Sequence, residues 1–543
     1  MRNPTFHSVI LAGAAMAAIL MAAQPVADAQ TQTTPRPKLV VAIAIDQFRY
    51  DYLTRFRAKY HGGLAQMLSE GAVFTNAYYQ QAPTVTAVGH SIFLTGAMPS
   101  ASGIVSNSWY DRAEGMVVTS VCDWDEKTVG GGQHVKGARC TDADPASARR
   151  LLVSTLGDEL KNASEDSRVI GVSIKSRSAI MPAGHRANAA YWFDDVTGNF
   201  VSSTYYIPEL PAWAAEFNQK KLPAQYVEKK WDGFPKWDFR PAPGSATPYS
   251  KLPASPWGNE LIERFAEQAI LGEQLGQRGP TDLLTVSFSS NDYVGHRVGP
   301  DAPEVEDMAI RTDELIGRLF RLLDQKIGLA NVVVVLTADH GVAPVPATDD
   351  EVRKTRRMPG DYVYADAEDV VRTALVKHFG KADWLISGAG ETSLYLNRKT
   401  LAEFKTPDGR HVEREDVLQV ARDALLNTPA LHVARVYTSD ELTTGVTGDF
   451  VAQALDYGFY PKRSGDLMLV LDPYFIPGTS GTTHFSPWGY DRHVPVIFFG
   501  LGIKPGRYNQ TIAPNDIAPT LATMLNIETP SGSSGHVLTA ILK

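Results

Sequence analysis

The sequence predicts an α/β/α sandwich built on a mostly parallel central sheet. Short runs rich in valine, isoleucine and leucine recur along the chain, and most are continuously apolar, as is typical of strands buried on both faces. Amphipathic helical patterns lie between these runs, and the alternation of strands and helices indicates the α/β class. The clearest helix is predicted from Pro303 to about Lys326. Strands are predicted at 39–45, 169–174, 283–288, 332–337, 467–471 and 494–499.

Two stretches interrupt this alternation and predict inserted subdomains. Residues 197–260 are rich in Trp, Tyr, Pro and Lys without clear periodicity, which favours a covering insertion. Residues 348–465 have a pattern of their own and predict a small α+β subdomain. Its elements are expected as helices near 366–379 and 414–426 and a hairpin at 406–411. The core of the predicted sandwich is then discontinuous, over residues 30–347 and 466–543.

The first 29 residues have the pattern of an export signal. Arg2 supplies a positive start, 9–23 is an apolar run, and Ala27-Asp28-Ala29 offers a cleavage site between small residues. An uncleaved membrane anchor is the alternative, although a span needs about 20 apolar residues. We therefore expect an exported protein, periplasmic or secreted, whose mature chain begins near Gln30 and keeps no membrane span.

Charge and cysteine content narrow the classes of partner and chemistry. The net charge of −8 argues against nucleic-acid binding as a main role, because such proteins present a basic surface. The two cysteines, Cys122 and Cys140, lack the CxxC partners of a metal site. Cys122 also lacks the Cys-x-Pro-x-Arg context of a sulfatase nucleophile. In an oxidising compartment we expect the two to form a disulfide.

Six potential metal ligands follow the apolar runs, where the carboxyl ends of strands present residues to an active-site crevice. Taken singly, each polar pair is commonly just the entry to a loop. Taken together, three carboxylates and three imidazoles supply enough ligands for two Zn²⁺ ions, which accept nitrogen and oxygen donors. The six are Asp46 in LVVAIAID, Asp292 and His296 in NDYVGH, Asp339 and His340 in NVVVVLTADH, and His484 in GTTHFSPWGYD.

Thr86, in the segment PTVTAVGH, is the candidate nucleophile. It directly precedes an apolar helical stretch, so its hydroxyl is expected at a helix N-terminus, where free N–H groups bind anions. The alternative is an ordinary N-cap threonine. A threonine hydroxyl is a weak nucleophile and needs a metal to become an alkoxide, so the neighbouring ligands favour the catalytic interpretation.

These motifs resemble those of the alkaline phosphatase superfamily, and specifically its threonine-nucleophile phosphatases, which are relatives of the nucleotide pyrophosphatase/phosphodiesterases. The resemblance spans nearly the whole mature chain. It implies that Asp292, His296 and His484 bind one zinc, and that the other zinc, with Thr86 near it, is bound by Asp46, Asp339 and His340. The matching segments are IAIDQFR, PTVTAVGH, LTG at 94–96, NDYVGH, TADHG, GTTHFSPWGYD and DIAPTLATMLNI.

Three further residues bear on the substrate class. Lys175 and Arg177 follow a predicted strand, and Asn107 lies in GIVSNSWYD. In the families that this chain resembles, a Lys-x-Arg pair and an Asn over the phosphate accompany cleavage of monoesters, whereas the diesterases usually lack the pair. Lys and Arg are otherwise ordinary surface residues. We assign all three residues to phosphate binding.

The resemblance implies an exported alkaline phosphatase that cleaves small phosphate monoesters through a phosphothreonine at a two-zinc site. We expect two Zn²⁺ per chain and leave additional structural Ca²⁺ open. A phosphodiesterase or nucleotide pyrophosphatase on the same metals is the alternative enzyme. A non-catalytic binding module is the third hypothesis, and the complete ligand set and nucleophile argue against it.

Overall fold

A ten-stranded sheet dominates the computed structural model, which describes residues 36–132, 137, 139–140, 144–346, 360–390 and 392–543. Its order is β18-β2-β17-β10-β1-β9-β6-β7-β8-β5. The described strands are β1 (Leu39–Ile45), β2 (Ala72–Ala77), β3 (Ser108–Asp111), β4 (Met116–Thr119), β5 (Thr128–Val129), β6 (Val169–Ser173), β7 (Ala189–Asp194), β8 (Asn199–Ser203), β9 (Asp282–Phe288), β10 (Val332–Thr337), β11 (Tyr362–Val363), β12 (Leu385–Ile386), β13 (Ser393–Leu396), β14 (Val433–Thr438), β15 (Leu467–Leu471), β16 (Ile476–Pro477), β17 (Val496–Gly500) and β18 (Gly506–Ile512).

Helices flank this sheet, and the longest is the amphipathic one that the sequence predicts from Pro303 to Lys326. The described helices are α1 (Tyr52–Arg55), α2 (Gly63–Glu70), α3 (Thr86–Thr95), α4 (Pro99–Ser102), α5 (Leu156–Ala163), α6 (Ser176–Ala183), α7 (Ala212–Gln219), α8 (Leu222–Tyr226), α9 (Pro256–Gly272), α10 (Ser290–Val298), α11 (Pro303–Lys326), α12 (Ala367–Phe379), α13 (Arg398–Glu403), α14 (Arg414–Leu426), α15 (Ser439–Thr444), α16 (Phe450–Gly458), α17 (Gly489–Arg492) and α18 (Ile517–Leu525). Short 3₁₀ turns lie at Arg57–Lys59, Leu252–Ala254, Leu329–Asn331, Pro429–Leu431, Pro514–Asp516 and Thr539–Ile541.

The middle of the large sheet is parallel and fully buried, as the apolar runs predict. β1 pairs in parallel with β10 on one side and β9 on the other, and β6 continues the parallel set beyond β9. Every residue of β1, β9 and β10 is buried. The predicted α/β class and mostly parallel sheet are therefore confirmed.

Two of the predicted strands differ from the simple parallel scheme. The run at 494–499 forms β17, which lies in the large sheet but antiparallel to β10. Its first residue, Val496, pairs with Thr337 at the carboxyl end of β10, so the chain enters the sheet at that edge and must run back. The run at 467–471 forms β15, which lies outside the large sheet. The prediction that this run is a strand of the large sheet is wrong. An apolar run of this kind is expected for a strand of either sheet, so the sequence alone did not indicate which sheet contains β15.

The strand β15 belongs to a four-stranded sheet of order β12-β13-β15-β14. With α12 and α14 this sheet contributes to a hydrophobic cluster of its own, which includes Val371, Trp384, Val417 and Leu425. The helices predicted near 366–379 and 414–426 are thus present as α12 and α14, and Lys405 bridges His411 across the predicted hairpin. The beginning of the predicted subdomain, 348–359, lies outside the described residues.

The predicted covering insertion at 197–260 contributes partly to the sheet itself. Its first residues form β8, which pairs antiparallel with β7 and lies next to the terminal strand β5 of the large sheet. The remainder carries α7 and α8 and an aromatic group in which Trp231 contacts Phe234 and Trp237. Residues Arg36–Lys543 form one compact unit, and the predicted export segment 1–29 lies outside the described residues.

Cys122 and Cys140 form a disulfide, as the sequence predicts. Both cysteines are buried, and Cys122 also lies in a short bridge with Ala146. The disulfide closes a loop with a sequence separation of 18. In the part of the chain that the structure describes, every helix is too short or too polar to cross a membrane.

We predict that replacing both cysteines by serine lowers the free energy of unfolding by about 3 kcal/mol, because the crosslink restricts the unfolded chain. Urea denaturation of the parent and the double variant, with and without reductant, measures this. The reductant should destabilise the parent and leave the variant unchanged. A parent that does not respond to reduction would contradict the prediction.

Candidate active site

The predicted ligands meet at the carboxyl edge of the large sheet because their strands are neighbours. Asp46 directly follows β1, and Asp292 and His296 lie on α10, which begins just after β9. Asp339 and His340 follow the end of β10. Since β10, β1 and β9 are adjacent and parallel, their carboxyl ends lie side by side, and the residues that follow them converge.

Three of the predicted ligands form one group that could hold a metal ion. The ligand atoms of Asp292, His296 and His484 all lie within 4.8 Å of one another. His296 Nε2 lies 3.1 Å from Asp292 Oδ1, and His484 Nε2 lies 3.6 Å from the same oxygen. The spacing of four residues along α10 brings Asp292 and His296 onto one side of the helix, as the sequence suggests.

A second group contains Asp46 and Asp339 together with His90, which lies on α3. His90 Nε2 lies 3.4 Å from Asp46 Oδ1, and its Nδ1 lies 3.5 Å from Asp339 Oδ2. His340, predicted for this group, has its Nε2 3.3 Å from Asp339 Oδ2. Its ring stacks on that of His484 with centroids 3.4 Å apart, so His340 contacts both groups.

The three predicted imidazoles share one orientation that suits metal binding. In each, Nδ1 lies within hydrogen-bond distance of a backbone carbonyl, at 2.7 Å for His296, 2.8 Å for His340 and 2.8 Å for His484. A carbonyl only accepts, so Nδ1–H donates, and Nε2 is the ring nitrogen that faces the carboxylates. Fixing one ring nitrogen in this way is how proteins orient metal-binding histidines. The residues present therefore fit a metal.

The protonation states that burial favours agree with this fit. Burial lowers the pKa of His340 and of His484 to about 4, so both rings are neutral at pH 7. Burial, and then the negative charge of Asp46, raises the pKa of Asp339 to about 7. Asp339 Oδ2 is buried without a hydrogen bond, a costly arrangement that a bound cation would relieve.

Lys175 lies between carboxylates of the two groups. Its Nζ is 2.6 Å from Asp292 Oδ2 and 3.1 Å from Asp46 Oδ2. Burial opposes ionisation of both acids, but nearby positive charge outweighs it and holds their pKa values below the usual range. For Asp292 this charge comes from His296 and Lys175, and for Asp46 it comes first from Lys175. The side chain predicted to bind phosphate thus adjoins both metal groups.

Thr86 is the first residue of α3 and is buried, as predicted for a nucleophile at a helix N-terminus. Its Oγ1 lies 3.5 Å from Lys175 Nζ and 3.5 Å from His340 Nε2. All ten residues of α3 are buried, so the helix is held rigidly among its neighbours. The hydroxyl is therefore positioned beside the residues that connect the two groups.

The other predicted phosphate-binding residues also lie beside Thr86 or Lys175. Asn107 Oδ1 accepts a hydrogen bond of 2.9 Å from the backbone N–H of Ala87, the residue after Thr86. Arg177 lies in the first turn of α6, and its charge is close enough to oppose the rise in the pKa of Lys175. The structure thus brings all of the sequence-predicted site residues to one edge of the sheet.

Three residues that make contacts at the site, Ser287, His90 and Gln47, were not predicted from the sequence. Ser287 Oγ donates to Asp46 Oδ1 at 2.6 Å, and His90 Nε2 lies 2.8 Å from the same Ser287 oxygen. Gln47 bonds to Asp339 and Asp292. The available signals were weak: His90 is four residues after Thr86, Gln47 follows Asp46, and Ser287 is simply a polar residue within an apolar run.

Comparison with known proteins agrees with this geometry. The sequence model of the family described as type I phosphodiesterase / nucleotide pyrophosphatase matches residues 40–491. The chain belongs to this family. Alkaline phosphatase PafA of Elizabethkingia meningoseptica is 36% identical, over 94% of this chain and 96% of PafA. Alkaline phosphatase PhoV of Synechococcus elongatus is also 36% identical, over 94% of each chain.

The fold is likewise similar to that of PafA. The crystal structure of wild-type PafA superposes with a TM-score of 0.84 at 35% identity, covering 94% of this chain and 99% of that one. A second PafA structure, with a TM-score of 0.83, is of a variant substituted at a threonine, an asparagine, a lysine and an arginine. These residue types occur in the same order as Thr86, Asn107, Lys175 and Arg177 here.

We predict that Gly89→Ala separates the helix of Thr86 from the end of β10. A Cβ at Gly89 would lie 2.1 Å from the backbone oxygen of Asp339, so α3 must move away. Such overpacking lowers the free energy of unfolding by about 1–3 kcal/mol, which thermal unfolding measures. Gly132→Ala is the control, because its Cβ would meet nothing within 4 Å. Equal stability of the two variants would show that α3 is not packed as described.

Proposed function

We propose that this protein is an exported, metal-dependent alkaline phosphatase that hydrolyses phosphate monoesters through a phosphothreonine at Thr86. The observation that carries the proposal is the placement of the Thr86 hydroxyl 3.5 Å from both Lys175 Nζ and His340 Nε2. The relatives named alkaline phosphatase support it, because they match along more than nine tenths of this chain. Both relatives carry the name of the activity that we assign here.

The metal in this proposal is zinc, with two ions per chain. The imidazoles and buried carboxylates described above are the donor types that Zn²⁺ binds. We assign Asp292, His296 and His484 to one ion. We assign Asp46, Asp339, His340 and the Thr86 oxygen to the other. Zinc bound here would act as a Lewis acid that favours the threonine alkoxide and offsets charge on the phosphoryl group.

The residues of the chain then have separate tasks. Thr86 Oγ1 attacks phosphorus in line, its bond to phosphorus forms as the bond to the leaving oxygen breaks, and water later hydrolyses the phosphothreonine. Asn107 Oδ1 accepts from the Ala87 N–H beside the nucleophile, and we assign the Nδ2 donor of the same amide to a phosphate oxygen. Lys175 and Arg177 supply positive charge beside the nucleophile. A monoester presents one more charged oxygen to this group than a diester does.

Cleavage of diesters or nucleotide pyrophosphates is the second candidate, and the description of the matching family supports it. It would use the same metal groups and the same threonine. The two candidates differ in the role of the basic pair, which a diester needs less. The near-complete burial of Lys175 beside both metal groups favours the monoester. The proposed export rests on the apolar run at 9–23 and agrees with the disulfide.

We predict that Thr86→Ala abolishes phosphate release without loss of bound zinc, because the attacking oxygen is removed while the other ligands remain. Steady-state hydrolysis of an aryl phosphate and elemental analysis measure these two quantities. Thr86→Ser is the matched control and should keep part of the activity, since it retains a hydroxyl. Acid quenching of the parent during turnover should trap phosphate on Thr86. Label on another residue would contradict the assigned nucleophile.

We predict that the double substitution Lys175→Ala and Arg177→Ala lowers kcat/KM for a monoester by roughly 10²–10⁴, since a charge-assisted hydrogen bond contributes about 1.5–3 kcal/mol. Hydrolysis of a diester of the same aryl alcohol should fall far less. Lys161→Ala is the control. This lysine is also buried, but it bonds the backbone carbonyl of Ser167 away from the site. Equal losses on both substrates would indicate that the pair does not select monoesters.

A further inference from the structure

Gln47, the residue directly after Asp46, has an unusual backbone conformation. Its φ is +60°, in the left-handed region that glycine adopts without strain and other residues seldom occupy. Its side chain is 2% exposed. Strain of this kind persists only where surrounding contacts hold it, and it is concentrated at functional sites. The position therefore needs an explanation in the contacts that Gln47 makes.

Those contacts join the two candidate metal groups. The backbone N–H of Gln47 donates to Asp339 Oδ1 at 3.0 Å, and its side-chain Nε2 donates to Asp292 Oδ1 at 2.7 Å. Asp339 belongs to one group and Asp292 to the other. One residue thus bonds a carboxylate from each group, through two donors whose separation the left-handed turn sets.

The helix that carries Asp292 is shaped around this amide. Gly295 lies on α10 between Asp292 and His296, and a Cβ there would lie 1.9 Å from Gln47 Oε1. Any larger residue at 295 would displace the amide. A glycine at position 47 would adopt the same turn with less strain, but it would have no side chain. The contacts of the Gln47 side chain therefore explain why a strained residue occupies this position.

We infer that Gln47 is a positioning residue that holds Asp292 and Asp339 at a fixed separation and so sets the geometry of both metal groups. Its side chain acts on the group of Asp292, His296 and His484, and its backbone acts on that of Asp46 and Asp339. The inference deepens the function proposed above and rests on its two metal groups. Outer hydrogen bonds of this kind typically change metal affinity 10–100-fold when they are lost.

Gln47→Gly distinguishes the effect of the side-chain donor from that of the backbone donor. It keeps the N–H toward Asp339 and suits φ +60°, but it removes the amide from Asp292. We expect one of two zinc ions to bind 10–100-fold more weakly in competition with a chelator, while the thermal unfolding temperature of the zinc-free protein does not fall. In a His484→Ala background, where the Asp292 group is already incomplete, the same substitution should weaken the remaining zinc by less than about threefold by the same reasoning.

Two further variants keep the test independent of a folding defect. Gly295→Ala displaces the same amide by crowding its Oε1 and should weaken the same zinc ion. Lys221→Gly relieves a left-handed residue (φ +49°) that lies far along the sequence, directly before α8, and should leave both zinc affinities unchanged. Gln47→Asn keeps an amide, tolerates the left-handed turn and should recover part of the affinity.

The outcomes separate this inference from the proposed function. If the parent binds two zinc ions and hydrolyses monoesters, but Gln47→Gly binds both ions as tightly as the parent, the positioning role is wrong. Loss of both ions to the same extent, together with a lower unfolding temperature of the zinc-free protein, would also overturn it in favour of a structural role. A parent that lacks two zinc ions or monoesterase activity would instead count against the proposed function.

Discussion

The structure depends on one electrostatic constraint, the burial of three carboxylates at the carboxyl edge of the central sheet. Asp46, Asp292 and Asp339 are all almost fully buried, and charges removed from water are costly unless they are paired. The elements around this edge supply the compensating groups. β6 leads to Lys175, which contacts Asp46 and Asp292, and the turn after β1 presents two N–H donors from Gln47. Asp339 Oδ2 has no hydrogen bond, so the negative charge of this carboxylate is not fully compensated. A site that binds a cation requires such uncompensated negative charge.

The same constraint explains how the loops around the site are ordered. The three predicted histidines are anchored through Nδ1 to backbone carbonyls of Thr482, Gly341 and Thr84. Each anchor links a ring to a loop, so the loops and the ligand atoms are fixed together. The helix that begins at Thr86 is fixed in the same way, since Asn107 bonds its first turn and Gly89 packs on the backbone of Asp339. A hydroxyl placed by such packing needs little rearrangement to meet a phosphate.

Much of the fold followed from local pattern because buried parallel strands and an amphipathic helix leave strong signals. The runs at 39–45 and 332–337 are strands with those bounds, and the helix at Pro303–Lys326 ends where the sequence indicates.

β2 and β18 were not predicted. Nearly all of β18 is exposed or half-buried, with the polar sequence GRYNQTI, so it lacks an apolar run. The apolar run LMLVL at 467–471 was predicted as a strand, but its partners β13 and β14 lie in the inserted segment. An apolar run indicates that a strand is buried, but it does not indicate which neighbouring elements bury it.

By itself, the sequence determined which functional groups lie at the site. These are carboxylates and imidazoles after strands, a threonine before a helix, and a basic pair after another strand. These features are local, because a strand end and the residue that follows it are set by a few neighbouring positions. Only the tertiary structure decided the partners. It put His90 between Asp46 and Asp339, stacked His340 on His484, and joined the two groups through Gln47. Contacts between residues hundreds of positions apart depend on strand order and crossing helices, which no local spacing encodes.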